Sequence, residues 1–223
     1  MRTIALLIAG SIAATAVQAQ DADRSVKDGG IKVAGWKGRI DRRAQTQGKT
    51  IADSKFLSEG GNLRLSVGPA AYYWNDANSA TGDYQVKASF KEHKMAATHP
   101  HSYGIFIGGA NLEGEENLMY CIAYGNGTYS IKTFNGAKVS TQVDRAASDV
   151  LHKADANGES TNEIGWRVAG GKVSCVINGT AVKTFDKAEV VGADKLASTD
   201  GAYGIRVSHN LELTVSGLAK SKP

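Results

Sequence analysis

Residues 117–143 read NLMYCIAYGNGTYSIKTFNGAKVSTQV. Two Asn-Gly pairs, Asn126-Gly127 and Asn135-Gly136, cut this stretch into three runs rich in β-branched and aromatic residues. Asn and Gly both tolerate the positive φ that a two-residue hairpin turn imposes, so the stretch predicts strands at 117–124, 128–134 and 138–143 joined by tight turns. A third pair, Asn178-Gly179, stands between similar runs at 172–177 and 180–185 and repeats the signal.

Working outward, the run Tyr84-Gln85-Val86-Lys87-Ala88-Ser89-Phe90 places apolar side chains at every second position. That period puts one face of a strand in a core and the other in water. Gly104-Ile105-Phe106-Ile107-Gly108 is apolar throughout, as in a strand covered on both faces. Further strands are read at 31–34, 38–41, 62–67, 70–74, 83–92, 102–107, 162–168, 202–207 and 211–216. Gly60-Gly61 and Gly108-Gly109 lack a phosphate-loop pattern and read as turns. The stretch 143–156 has weak helical periodicity and reads as a loop with one turn. Many antiparallel strands bury one face each by packing as two sheets. The expected fold is therefore an all-β, antiparallel two-sheet sandwich in a single domain over residues 31–223. An immunoglobulin-like sandwich needs only about 100 residues and fewer strands.

The N-terminus reads differently. Met1-Arg2-Thr3 carries a positive charge, residues 4–17 are apolar or small, and Val17-Gln18-Ala19 offers small residues at the two positions a signal peptidase reads. A secretory signal peptide over residues 1–19, cleaved between Ala19 and Gln20, is expected. The apolar run is shorter than the roughly 20 residues that span a bilayer, and no Cys follows the cleavage point. The polar residues 20–30 read as a flexible leader. A periplasmic or secreted protein with no membrane attachment after cleavage follows.

The formal charge of +4 comes from basic residues interspersed with acidic ones. Nucleic-acid binding calls for a basic stripe, which is lacking, so no nucleic-acid partner is expected. No cofactor motif occurs. The two cysteines, Cys121 and Cys175, fall in strand-like segments without a Cys-x-x-Cys spacing. One bridge in an oxidising compartment and two separate buried thiols are both compatible with this.

Gly82-Asp83-Tyr84-Gln85-Val86 is followed by Tyr103 to Gly109, Tyr120-Cys121-Ile122-Ala123-Tyr124, Asn126-Gly127-Thr128-Tyr129, Asn162-Glu163 and Trp166-Arg167-Val168. Val173 to Ile177 and Asn178-Gly179 come next, and Gly201 to Val207 closes the series. In this order the chain resembles concanavalin A-like lectin/glucanase jelly rolls over Leu57 to Leu218. Within them it is most similar to the 3-keto-disaccharide hydrolase-like domains of exported bacterial proteins. The resemblance implies a jelly-roll sandwich and carbohydrate as the class of partner. It assigns no catalytic residue, because none of that family's is matched to a position here.

The Glu-x-Asp-x-Glu strand that places two carboxylates across a glycosidic bond in laminarinase-like glucanases is absent. Glu113-Gly114-Glu115-Glu116 reads as a solvated turn. Aromatic residues are the better lead, since sugar rings stack on flat apolar faces while nearby polar groups bind their hydroxyls. Tyr72 and Trp74 share one face of a short strand, and Tyr103, Tyr120 and Tyr124 lie on neighbouring strands. Asn75, Asp76 and Arg206 are the candidate polar partners. His99 and His101, flanking Pro100 with His93 upstream, are the candidate metal ligands. Without a further ligand at a recognisable spacing, an exposed loop is the simpler reading of them. The leading expectation is an exported, non-catalytic module that binds a glycan or other surface polymer. The alternatives are a hydrolase or lyase acting on oxidised sugars, and an envelope structural protein.

Overall fold

The computed structural model describes residues 21–223. The expected signal peptide and its cleavage point fall on residues 1–20 and lie outside the described residues. The chain opens with strands β1 (Gly30–Ile31) and β2 (Trp36–Ile40), a short helix α1 (Arg42–Thr46) and a 3-10 turn at Ile51–Asp53. Strands β3 (Lys55–Glu59), β4 (Asn62–Ser66), β5 (Ala71–Ala80), β6 (Tyr84–Glu92) and β7 (Ser102–Ala110) follow. Two meanders come next, β8 (Asn117–Tyr124), β9 (Thr128–Asn135) and β10 (Lys138–Ala147), then β11 (Ser160–Ala169), β12 (Lys172–Ile177) and β13 (Thr180–Asp186). A helical turn α2 (Lys187–Val190) precedes β14 (Gly201–Val207) and β15 (Glu212–Ser221).

These strands form two sheets, one ordered β1-β3-β4-β15-β6-β11-β12-β13 and the other β10-β9-β8-β7-β14-β5-β2. Among the strands of the described residues, the two-residue pairing of β1 with β3 is parallel and the other pairings are antiparallel. The expected antiparallel sandwich is what the chain builds. Each Asn-Gly pair turns a hairpin, and at the β12–β13 turn both residues take positive φ, 48° at Asn178 and 81° at Gly179. That conformation costs glycine nothing and asparagine little, which is why the dipeptide marks the turn.

Between the sheets lies a core that includes Phe56, Tyr73, Phe90, Tyr103, Ile105 and Trp166, all essentially inaccessible to solvent. The indole Nε1 of Trp166 in β11 donates to the carbonyl of Ile105 in β7 at 3.0 Å, so the largest core ring also satisfies its one polar atom across the sandwich. Cys121 of β8 and Cys175 of β12 form a disulfide that ties one sheet to the other.

Several local expectations change. Residues 21–29 carry no regular secondary structure, yet they are fastened to the domain rather than free of it. Arg24 donates from Nε to the Val67 carbonyl at 2.8 Å and from Nη2 to the Leu211 carbonyl at 2.7 Å, and it pairs with Glu212 at 2.6 Å. Gly108-Gly109 does not end a strand. It lies within β7, where the pairing with β8 slips between Ile107 and Ala110 and Gly108 takes φ 64°. This is a β-bulge, which glycine accommodates. Residues 143–147 extend β10, and β3 is a strand the polar Lys55-Phe56-Leu57-Ser58-Glu59 pattern did not advertise.

Glu92, the last residue of β6, is fully buried, and neither carboxyl oxygen has an aligned hydrogen-bond partner. Burial pushes its pKa up to about 7, and the neighbouring Ser160 hydroxyl offsets only part of that. The folded state therefore holds a proton that the unfolded chain releases near the ordinary value of 4.5. Stability should be level below that value, fall as pH rises from 4.5 to 7, and level off above. At 1.36 kcal/mol per pH unit the loss is on the order of 3 kcal/mol. Glu92→Gln removes the titration, so urea unfolding at pH 8 should show the variant more stable than the parent and at pH 4.5 roughly equal to it. Parallel pH dependence in the two proteins would show that Glu92 stays hydrated.

Candidate functional site

In the second sheet alternate side chains point to opposite faces. Tyr73, Tyr103, Ile105, Cys121 and Ile205 point into the core, while Tyr72, Trp74, Phe106, Tyr120, Ile122, Tyr124 and Phe134 gather in a separate cluster on the outer face. Register brings the outer rings together. Gly204 of β14 stands opposite Trp74 of β5 and Phe106 of β7. A Cβ at Gly204 would come within 2.7 Å of the Phe106 ring, so this glycine makes the room for it. The Tyr72 ring is 5.7 Å from Trp74 and 6.1 Å from Phe106, and Tyr120 meets Phe134 edge-on at 5.2 Å.

The cluster has a lid. Arg39 stands opposite Tyr72 in the β2–β5 pairing and bonds Glu116 at 3.0 Å, while Arg42 at the start of α1 reaches Glu116 at 2.8 Å and Glu115 at 3.0 Å. Lys37 bridges Asp76 at 2.8 Å and Glu113 at 2.9 Å. The loop expected to be a solvated acidic turn is thus pinned over the sheet by basic residues from β2 and α1, and Glu116 is buried beneath them. The Tyr72 hydroxyl donates to the Leu112 carbonyl at 2.9 Å, and the Trp74 indole to Asp76 at 3.1 Å. With 1% and 4% of their surface exposed, Tyr72 and Trp74 are covered rings rather than open platforms. Burial raises the pKa of the Tyr72 hydroxyl to about 12.

The remaining candidates separate. Tyr103 is an interior residue: it stacks on Phe90 at 5.6 Å, and its hydroxyl lies 3.0 Å from the Ser160 hydroxyl, so it takes no part in an outer-face site. Asn75 accepts from the Ala77 amide within its own strand. Tyr124 lies under the guanidinium of Arg145, 4.3 Å from its ring centre. Tyr120 and Arg206 meet in one place, a cleft of about 310 Å³ also lined by Asp41, Arg42, Arg43, Glu116, Lys132, Phe134 and Val139. Arg206 binds both oxygens of Asp41, at 2.6 and 2.7 Å, and its guanidinium lies 5.2 Å from the ring centres of Tyr120 and Phe134. Burial works against its charge, but the charge and hydrogen bonds of Asp41, together with the neighbouring Tyr120 and Tyr72 hydroxyls, outweigh it and raise the pKa. Val139, 53% exposed, supplies an apolar rim.

Sequence reading missed Asp41, Arg42, Glu116, Lys132 and Phe134. No local signal marks them, since Asp41 and Arg206 are 165 residues apart.

At the edge of β7, His99 and His101 are joined by His209 from the turn after β14. One ring nitrogen from each lies within 4.8 Å of the others. Burial, with the neighbouring imidazoles, lowers the pKa of His101 to about 4. His93 is elsewhere engaged, with Nε2 2.8 Å from the Thr214 hydroxyl.

The backbone arrangement has counterparts among solved structures. The carbohydrate-binding module CBM66 from Bacillus subtilis superposes with a TM-score of 0.58 at 8% identity, over 87% of this chain and 99% of that one. The chain has the concanavalin A-like jelly-roll fold. A Bacteroides ovatus GH16 protein of a mixed-linkage glucan locus, in complex with a glucan product, matches at TM-score 0.57 and 10% identity over 87% and 98%. A Bacillus subtilis protein with a galectin-like fold matches at 0.57 and 14% over 84% and 89%. At such identities the likeness is one of fold. No family model matches the chain, and no curated protein matches it in sequence.

Proposed function

We propose that the protein is an exported, non-catalytic module that binds a glycan or another surface polymer in the outer-face cleft. The lining of that cleft carries the reading: an exposed apolar rim at Val139 over the buried rings of Tyr120 and Phe134, set among the Arg206 guanidinium, the Lys132 amine and two carboxylates. Apolar edges suit the C–H face of a sugar, and fixed charged groups suit its hydroxyls. Both carboxylates, Asp41 and Glu116, are already gripped by guanidinium groups, which favours a rigid hydrogen-bonding surface over proton transfer. A carbohydrate-binding module among the fold neighbours supports this as analogy. The inter-sheet disulfide supports an oxidising destination, periplasm or medium. Among the described residues no helix is long and apolar enough to cross a membrane.

A glycan array followed by titration of the best binder tests this. Val139→Asp alters the cleft rim at an exposed position, so it should leave the melting temperature unchanged and weaken binding at least about tenfold, or 1.4 kcal/mol. Unchanged affinity would remove the cleft from the site. Cleavage of the bound glycan would replace the binding module with a glycosidase.

A further inference from the structure

We infer that His99, His101 and His209 form a binding site for one divalent transition-metal ion, with Asp23 orienting the His209 ring. The site follows from strand register. Strands β7 and β14 pair antiparallel with Tyr103 opposite Val207, and the pairing continues past the strand ends. The Ser208 amide donates to the Ser102 carbonyl at 2.8 Å, and the Ser102 amide to the Ser208 hydroxyl at 2.7 Å. The residue before β7 and the second residue after β14 are thereby set side by side, and these are His101 and His209. Their ring centres are 4.4 Å apart. Pro100 stiffens the link to His99, whose ring centre lies 5.3 Å from that of His101 and 6.1 Å from that of His209.

Two of the three rings, His101 and His209, are buried. The Nδ1 of His209 lies 2.8 Å from the Asp23 carboxylate. The contact is off the line of a hydrogen bond, so this buried nitrogen has no satisfied partner. A carboxylate at one nitrogen of an imidazole is the arrangement that fixes the tautomer of a metal-binding histidine. With Nδ1 turned to Asp23, the ring offers Nε2 as ligand. A metal about 2.0–2.1 Å from each of three nitrogens in tetrahedral geometry draws them to about 3.3 Å apart, a closure of roughly 1.5 Å at most from the present cluster. Side-chain torsions supply such a movement. Three imidazoles select borderline ions such as Zn²⁺, Co²⁺, Ni²⁺ or Cu²⁺ over Ca²⁺ and Mg²⁺, which prefer oxygen. Three protein ligands also leave a fourth position for water or a ligand atom. Asp23 lines a cavity of about 350 Å³ that is also lined by Asp41, the partner of Arg206. The inference stands on the histidine geometry and does not depend on what the outer-face cleft binds.

The chain purified without a polyhistidine tag is titrated with Zn²⁺ by calorimetry and with Co²⁺ by visible absorption. One Zn²⁺ per chain, four-coordinate Co²⁺ bands and no response to Ca²⁺ are expected. His101→Ala and His209→Ala should each abolish stoichiometric binding, while a His93→Ala/His152→Ala double variant should retain it. Circular dichroism without metal checks that each variant is folded. If either buried-ring variant is not folded, the partly exposed His99→Ala takes its place with the same expectation. Asp23→Asn should weaken Zn²⁺ about 10- to 100-fold without abolishing binding. Failure of the parent to bind Zn²⁺, or full binding after loss of a folded ligand variant, would overturn the site. Unchanged affinity in Asp23→Asn would overturn the orienting role.

Discussion

Arg206→Met is expected to lower unfolding stability by about 3 kcal/mol, the lower end of the range for breaking a buried ion pair. The guanidinium is buried and joined to Asp41 by two hydrogen bonds, and replacing it leaves the Asp41 carboxylate beside an apolar thioether in place of its bidentate partner. Most of the cost comes from that stranded charge rather than from the loss of attraction, because the pair's Coulombic gain is largely offset by the desolvation of both groups. Asp41 keeps 26% of its side chain in water, which relieves part of the penalty and is the reason for choosing the lower end. The double variant Arg206→Met/Asp41→Asn has no charge left to strand and should recover more than half of the loss. Urea unfolding of the parent, the two single variants and the double variant measures this directly. Additive single effects would show that the two groups act independently.

Replacing both cysteines with alanine is expected to cost about 4 kcal/mol. The bridge closes a loop with a sequence separation of 54, and the chain-entropy relation converts a loop of that size to about 4 kcal/mol at 25 °C. The effect resides in the unfolded chain, which without the bridge gains conformations that the two sheets must again bring together. The dependence of stability on urea should also steepen, since an unbridged chain unfolds to a more open ensemble. The same shift should follow from reducing the native protein after unfolding it in urea. Coincident unfolding curves for the bridged and unbridged proteins would mean that the denatured chain keeps the sheets in contact.

The site was legible in the sequence only in part. Tyr72 and Trp74 do share a face, because residues two apart on a strand always do. The covering of that face was not legible: Arg39 and Arg42 reach Glu116 across more than 70 residues, and nothing near Glu113-Gly114-Glu115-Glu116 announces basic partners so distant. Tyr103 and Tyr120 lie on strands legible in the sequence, but which face each ring takes depends on the register between β7 and β8. Tyr103 pairs with Ala123 and Phe106 with Tyr120, so Tyr103 faces the core and Tyr120 the outside.

The sequence by itself determined most of the strands and the Asn-Gly hairpins, since an Asn-Gly turn and an every-second-residue apolar pattern act over a few residues and need no distant partner. What only the tertiary structure decided is every pairing of side chains far apart in the chain: Asp41 with Arg206, Cys121 with Cys175, and His209 with His101. Each depends on which strands become neighbours and in which register, and a shift of one residue would turn each side chain to the opposite face. That choice is made by the burial of the whole core, to which no single segment holds the key.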